Sequence, residues 1–149
     1  MSRSVMVDSS WYIAQARLGR DPLKELTLAA EDRDIAVCGL IVAEVGRGIR
    51  ERRFLDCYIR AWAQMLYIPS TRQRWRETLE LAWHLDRKGV VIPLQDVHIA
   101  ACTLSIGAAV LTEDDHFRKI PGLTAVRDVF LLATQANPLT NCLELRICA

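Results

Sequence analysis

No apolar run in this chain approaches the roughly 20 residues needed to cross a bilayer, so no membrane span is expected. Cysteine is sparse and odd in number: Cys38, Cys57, Cys102, Cys142 and Cys148 are scattered, with no CxxC pair and no Cys/His spacing for zinc. That pattern makes a reducing cytoplasm the simplest compartment. Cys38 and Cys102 lie in apolar segments and are expected as small core residues. The chain also lacks GxxxxGK[ST] and GxGxxG, which excludes a nucleotide P-loop and a dinucleotide fingerprint. It has no GxSxG elbow for a hydrolase serine. Ser10 stands two residues after Asp8, where a haloacid-dehalogenase-like phosphatase carries a second Asp, and no late lysine follows a strand as in a receiver domain. There is no internal repeat and no low-complexity segment. The three histidines, His84, His98 and His116, have no ligand spacing and are expected to be surface or structural.

What remains is an ordinary globular composition. The 149 residues suit one domain with a real core; 51% are hydrophobic and 25% charged. A mean hydropathy of +0.10 fits a sheet covered on both faces or a buried oligomer contact. Met-Ser-Arg-Ser runs directly into a strand, so no signal peptide is expected. Net charge is only +1, yet between Gly46 and Lys88 ten arginines and lysines face five acidic residues. A basic region in a chain whose conspicuous motifs are acidic suits a polyanionic substrate.

Hydrophobic patterning predicts alternating strands and helices. Val5-Met6-Val7 reads as a buried strand, with Ser9 and Ser10 able to cap the helix after it. Asp21-Pro22 starts a helix with Leu23, Leu26, Leu28 and Ala30 as its apolar side. Asp34–Cys38 is a second strand, and Leu40–Arg50 a helix with Val42, Val45 and Ile49 as its buried stripe. A further helix runs to Met65. Leu66–Pro69 is a strand, and Ser70 or Thr71 caps a long helix to Lys88 with Trp75, Leu79, Ala82, Trp83 and Leu85 inward. Residues 89–93 hold a brief extended piece. Asp96 opens a helix that Gly107 ends; Ala108–Leu111 is a fourth buried strand, followed by a short helical turn and an edge strand at Leu123–Val126. This order predicts a three-layer α/β/α sandwich with a mainly parallel central sheet.

Four acidic motifs punctuate that pattern: Val5-Met6-Val7-Asp8, Val42-Ala43-Glu44-Val45, Gln95-Asp96-Val97-His98 and Thr112-Glu113-Asp114-Asp115. Each acid falls near a strand end or an early helix turn, positions that converge at one edge of a parallel sheet. Any one aspartate is adequately explained as a helix cap. Glu44 is not, because a glutamate among apolar residues of a packed helix is seldom unpaired. Four converging carboxylates repel one another unless a cation neutralises them, and an oxygen-only site suits Mg²⁺ or Mn²⁺. An ion of that kind activates water for attack on a phosphodiester. Arg47, Arg50 and Arg53 are candidates for holding the flanking phosphates. Trp11 and Tyr12 could stack on bases, although packing within their helix explains them better.

From Val5 to about Val126 the chain resembles PIN domains, and among them the VapC-type toxin ribonucleases of toxin–antitoxin systems. The matching residues are Val7-Asp8-Ser9-Ser10, Ala43-Glu44-Val45-Gly46-Arg47-Gly48, Gln95-Asp96-Val97-His98-Ile99-Ala100-Ala101 and Leu111-Thr112-Glu113-Asp114-Asp115-His116-Phe117. The resemblance implies a PIN-like domain over 1–136, with 137–149 a tail of unassigned role. It implies a Mg²⁺- or Mn²⁺-dependent endoribonuclease, a homodimer, and inhibition by a cognate antitoxin protein. It carries metal-ligand and catalytic roles onto Asp8, Glu44, Asp96 and Asp114, and supporting roles onto the hydroxyls of Ser10 and Thr112. The Thr-x-Asp spacing favours Asp114 as the fourth acid; Asp115 either helps bind a second metal or faces solvent. Gly39 departs from the Ser or Thr that commonly caps this helix. A non-catalytic PIN module binding RNA or protein, and a nuclease acting on DNA, are the alternatives, because a metal-activated water does not require the 2′-hydroxyl.

Overall fold

The computed structural model describes residues 3–128. The expected tail, with Cys142 and Cys148, and the end of the expected domain beyond residue 128 lie outside them. Five parallel strands form one sheet: β1 (Ser4–Val7), β2 (Asp34–Cys38), β3 (Leu66–Ile68), β4 (Ala109–Leu111) and β5 (Ala125–Val126), in the order β3-β2-β1-β4-β5. Six helices flank it: α1 (Ser9–Arg17), α2 (Pro22–Ala29), α3 (Gly39–Gly48), α4 (Arg52–Trp62), α5 (Arg72–Arg87) and α6 (Leu94–Ser105). The α/β architecture read from the sequence is the one observed.

The central strands are buried on both faces. Val5, Met6 and Val7 of β1 meet Ile35 and Ala36 of β2 on one side, and Val110 and Leu111 of β4 on the other. Such strands need continuous apolar runs rather than alternation, which is why both were legible. From β1 the chain steps out to β2 and β3, then crosses back to place β4 on the far side of β1. The crevice between the C-terminal ends of β1 and β4 is therefore the topological switch point of the sheet, where open α/β sheets bind ligands.

Helix α6 is buried almost all round, from Val97 to Thr103, and Gly107 ends its turn in the left-handed region at φ 62°. His98 sits within it, fully enclosed. Its ring stacks on Trp75 at 3.9 Å and contacts the hydroxyls of Ser70 and Thr78, each at 2.8 Å. Thr78 gives its proton to the Arg74 carbonyl, so it accepts from His98 Nδ1–H. Nε2 is then the acceptor for Ser70. The imidazole is a neutral pin between α5, α6 and the turn before α5, as a structural histidine should be.

Two helix faces differ from the sequence reading. On α2, Leu26 and Ala29 are buried while Leu28 and Ala30 face out. On α5 the expected core side is partly exposed: Leu79 and Trp83 point to solvent and Trp75 is half exposed, with one ring face on His98; Leu85 is buried as expected, and Thr78, which was not expected there, is buried with it. Helix α5 carries two stripes at helical spacing. The one that packs on α6 is marked by a threonine serving a buried histidine, which hydrophobicity alone does not register.

Candidate active site

Asp8 follows β1 directly. Its amide donates to the Leu111 carbonyl at 2.9 Å, fixing it to the end of β4. The residue is 3% exposed. The described hydrogen bonds to it all fall on Oδ2, from Ser10 Oγ at 2.6 Å, Thr112 Oγ1 at 2.9 Å and the Ser10 amide at 3.3 Å. Each hydroxyl has one proton, and each gives it to Asp8. Each then accepts a backbone N–H from the loop after β4: Glu113 donates to Ser10 Oγ at 3.0 Å, and Asp114 donates to Thr112 Oγ1 at 3.0 Å. The two oxygens lie 3.0 Å apart with no proton left to share. Ser10 and Thr112 thus tie the β1 and β4 loops to one carboxylate oxygen and leave Oδ1 available to a ligand.

Asp114 caps a short 3-10 helix (Asp115–Lys119), accepting from the His116 amide at 2.8 Å. Asp8 likewise caps α1, so both aspartates do hold helix ends. Asp96 does not: Pro93 occupies the cap of α6 and Asp96 lies within the first turn. It meets the others across the crevice. His116 Nδ1 stands 3.2 Å from Asp96 Oδ2 and 3.2 Å from Asp114 Oδ1. Burial raises the Asp96 carboxyl above its usual range; the His116 hydrogen bond opposes this, and the charges of Asp8 and Asp114 reinforce it.

His116, expected to be surface or structural, stands inside the acidic cluster. The available signal was its place two residues after Asp114, which a capping turn folds back onto the carboxylate. Asp96, Asp114 and His116 offer ligand atoms within 4.8 Å of one another. Carboxylate oxygens with one imidazole, half-buried and without a lysine or arginine between them among the described residues, fit a divalent cation. Glu44 is half-buried on α3, which leaves the end of β2 beside β1. Among the described residues it has no hydrogen bond or ion pair, and its charge reaches the Cys38 thiol. It is not part of the tight donor group. Cys38 occupies the α3 cap without a side-chain bond, and a side chain at Gly39 would meet the Tyr67 hydroxyl at 3.1 Å, so a capping Ser there has little room.

Asp115 lies outside the donor group and pairs with Arg118 and Arg127. Arg47, Arg50 and Arg53 are exposed around the α3–α4 turn, with Arg53 held by Glu51 at 2.9 Å. Trp11 and Tyr12 are buried; Tyr12 takes a hydrogen bond from Trp62 at 3.4 Å and packs on Tyr58. They serve the core.

The family model of the PIN domain matches residues 5–123, the span that contains the four acidic motifs and, from Val5 on, β1. The chain belongs to the PIN domain family. Solved structures agree on the PIN fold. A chain of VapBC2 from Rickettsia felis, bound to a DNA fragment from its promoter, is 21% identical with a TM-score of 0.67, over 83% of this chain and 97% of that one. DNA-bound VapBC from Salmonella typhimurium gives 19% and 0.67, over 85% and 98%. VapC20 of Mycobacterium tuberculosis, a toxin that cleaves the sarcin–ricin loop, gives 14% and 0.55, over 74% and 90%. No curated protein matches the chain significantly.

Proposed function

We propose that this PIN domain is a VapC-type toxin: a Mg²⁺- or Mn²⁺-dependent endoribonuclease that hydrolyses RNA phosphodiesters and is restrained by a cognate antitoxin. The observation that carries the reading is the convergence of Asp8, Asp96, Asp114 and His116 at the β1/β4 crevice, with no lysine or arginine among the described residues between the acids. Asp8, Asp96 and Asp114 would hold the ion, His116 would add a nitrogen, and Glu44 would close the set from α3. When bound, the ion supplies an activated water and offsets charge developing on the phosphate oxygens. Ser10 and Thr112 keep the Asp8 carboxylate in one orientation without competing for both oxygens, which is how supporting hydrogen bonds set a ligand.

The partner expectations have physical counterparts. A groove of about 800 Å³ between α2 and α4, lined by Leu26, Ala61 and Met65 together with the polar Thr27, Arg33 and Gln64, is a concavity that an antitoxin segment would fill. The exposed stripe of Trp75, Leu79 and Trp83 on α5 is a surface that a second copy would cover in a homodimer. Induced expression of wild type and Asp8→Asn, with transcriptome-wide mapping of RNA 5′ ends, tests the activity. Discrete cuts with wild type alone are expected. Equal cutting by purified Asp8→Asn would remove the metal-site assignment, and cuts confined to DNA would change the substrate.

A further inference from the structure

A nuclease must hold the phosphates on either side of the bond it cuts, and the fold brings two arginines to the acidic cluster that patterning did not single out. Arg127 directly follows β5. Strands β4 and β5 run parallel with Leu111 opposite Val126, and the Thr112 amide donates to the Val126 carbonyl at 2.9 Å. Arg127 therefore leaves the sheet level with Thr112, whose hydroxyl holds Asp8. Arg118 arrives at the same place on the 3-10 helix that Asp114 caps.

One carboxylate oxygen tethers both. Asp115 Oδ1 lies 3.1 Å from Arg127 Nη2 and 3.4 Å from Arg118 Nε. Glu113 Oε2 stands 3.9 Å from Arg127 Nε. The two residues flanking Asp114 thus both anchor guanidiniums. These pairs are exposed, with the arginine side chains 56% and 51% accessible. Exposed ion pairs contribute little to stability; what a tether does there is restrict where the guanidinium points. Each guanidinium carries five N–H donors, and among the described residues the tethers engage one or two of them, leaving others to take phosphate oxygens. Asp115, read from sequence as a second metal ligand or a solvent-facing acid, is better placed as the hinge post of a clamp.

We propose that Arg118 and Arg127, held beside the acidic cluster by Asp115, grip the backbone phosphates flanking the scissile bond of single-stranded RNA. This rests on the nuclease reading and assigns its substrate contacts.

The test is fluorescence anisotropy of a labelled single-stranded RNA oligonucleotide at several salt concentrations, with steady-state cleavage and calorimetric Mn²⁺ titration alongside. Arg118→Gln and Arg127→Gln are each expected to weaken RNA binding by about tenfold, the scale of one charge-assisted hydrogen bond. Each should make the slope of log K against log salt shallower by about 0.7, raise KM more than it lowers kcat, and leave Mn²⁺ affinity unchanged. Arg127→Lys should restore the salt slope and only part of the affinity, since an ammonium keeps the charge but loses the fork. Unchanged affinity and slope in both glutamine variants, with wild type that binds and cuts RNA, would overturn the clamp alone. Lost Mn²⁺ affinity in Arg127→Gln would overturn it in favour of a role in the metal site. Wild type that neither binds nor cuts RNA would overturn both readings.

Discussion

Thr112 is the sharpest place to test how the site is held. Its hydroxyl donates to Asp8 Oδ2 at 2.9 Å and accepts the Asp114 amide at 3.0 Å, and the residue is 3% exposed. Thr112→Val keeps the shape and removes both bonds. A hydrogen bond to a charged acceptor contributes about 1.5–3 kcal/mol, and a part-buried amide left without its acceptor costs about 1 kcal/mol. The expected loss is therefore about 2.5–4 kcal/mol. For a chain of this size each kcal/mol lowers Tm by roughly 3 °C, so the shift should be roughly 7–12 °C. Function should fall further than stability, because Asp8 and Asp114 lose their common post, and misplacement by an ångström costs about 10²-fold in rate. Thr112→Ser returns the hydroxyl and should recover most of both. Circular-dichroism melting, Mn²⁺ titration and an RNA cleavage assay read the three effects. A Thr112→Val protein within about 0.5 kcal/mol of wild type, the range of an inconsequential surface substitution, would refute the hydrogen-bond accounting given above.

Two further outcomes follow from the titrating groups. Burial lowers the His98 pKa, and Arg74 adds to this. A depressed folded value means that its contribution is present above the unfolded histidine pKa of about 6.5 and is lost as pH falls through the folded value. The urea midpoint should therefore drop on acidification from pH 7 to below 6, and less so in His98→Gln; identical pH profiles for the two proteins would contradict the neutral pin. Asp96 has the opposite sign. Its raised carboxyl means that its own contribution to metal-free stability is fully present below the ordinary carboxylate pKa of about 3.9 and is lost as pH rises through the folded value. At neutral pH, Asp96→Asn should raise the Tm of the metal-free protein while weakening Mn²⁺ binding, and a lower metal-free Tm would show that Asp96 is not a repelled charge.

The central strands were legible because burial on both faces demands unbroken apolar runs, and Val5–Val7 and Ala108–Leu111 provide them. Helix ends were legible where chemistry marks them, as at Asp21-Pro22 and Gly107. Helix faces were less so. On α5 both the tryptophan stripe and the Thr78–Leu85 stripe have helical spacing, and only the position of α6, with His98 needing a hydroxyl, selects between them. For the candidate site, the order Asp8, Glu44, Asp96, Asp114 could be read along the chain, because each acid follows or faces a recognisable element.

What the sequence by itself determined is therefore the set of elements and the acids they carry. Both follow from local rules of periodicity, capping and strand burial. The tertiary structure alone decided who meets whom. It set Asp8 against Thr112 across 104 positions, brought His116 between Asp96 and Asp114, left Glu44 half-buried outside the tight group, and gave Asp115 two arginines to hold. The reason is physical. A charge or a hydroxyl has no preferred partner along the chain; its partner is fixed only when strand order places two loops at the same end of one crevice.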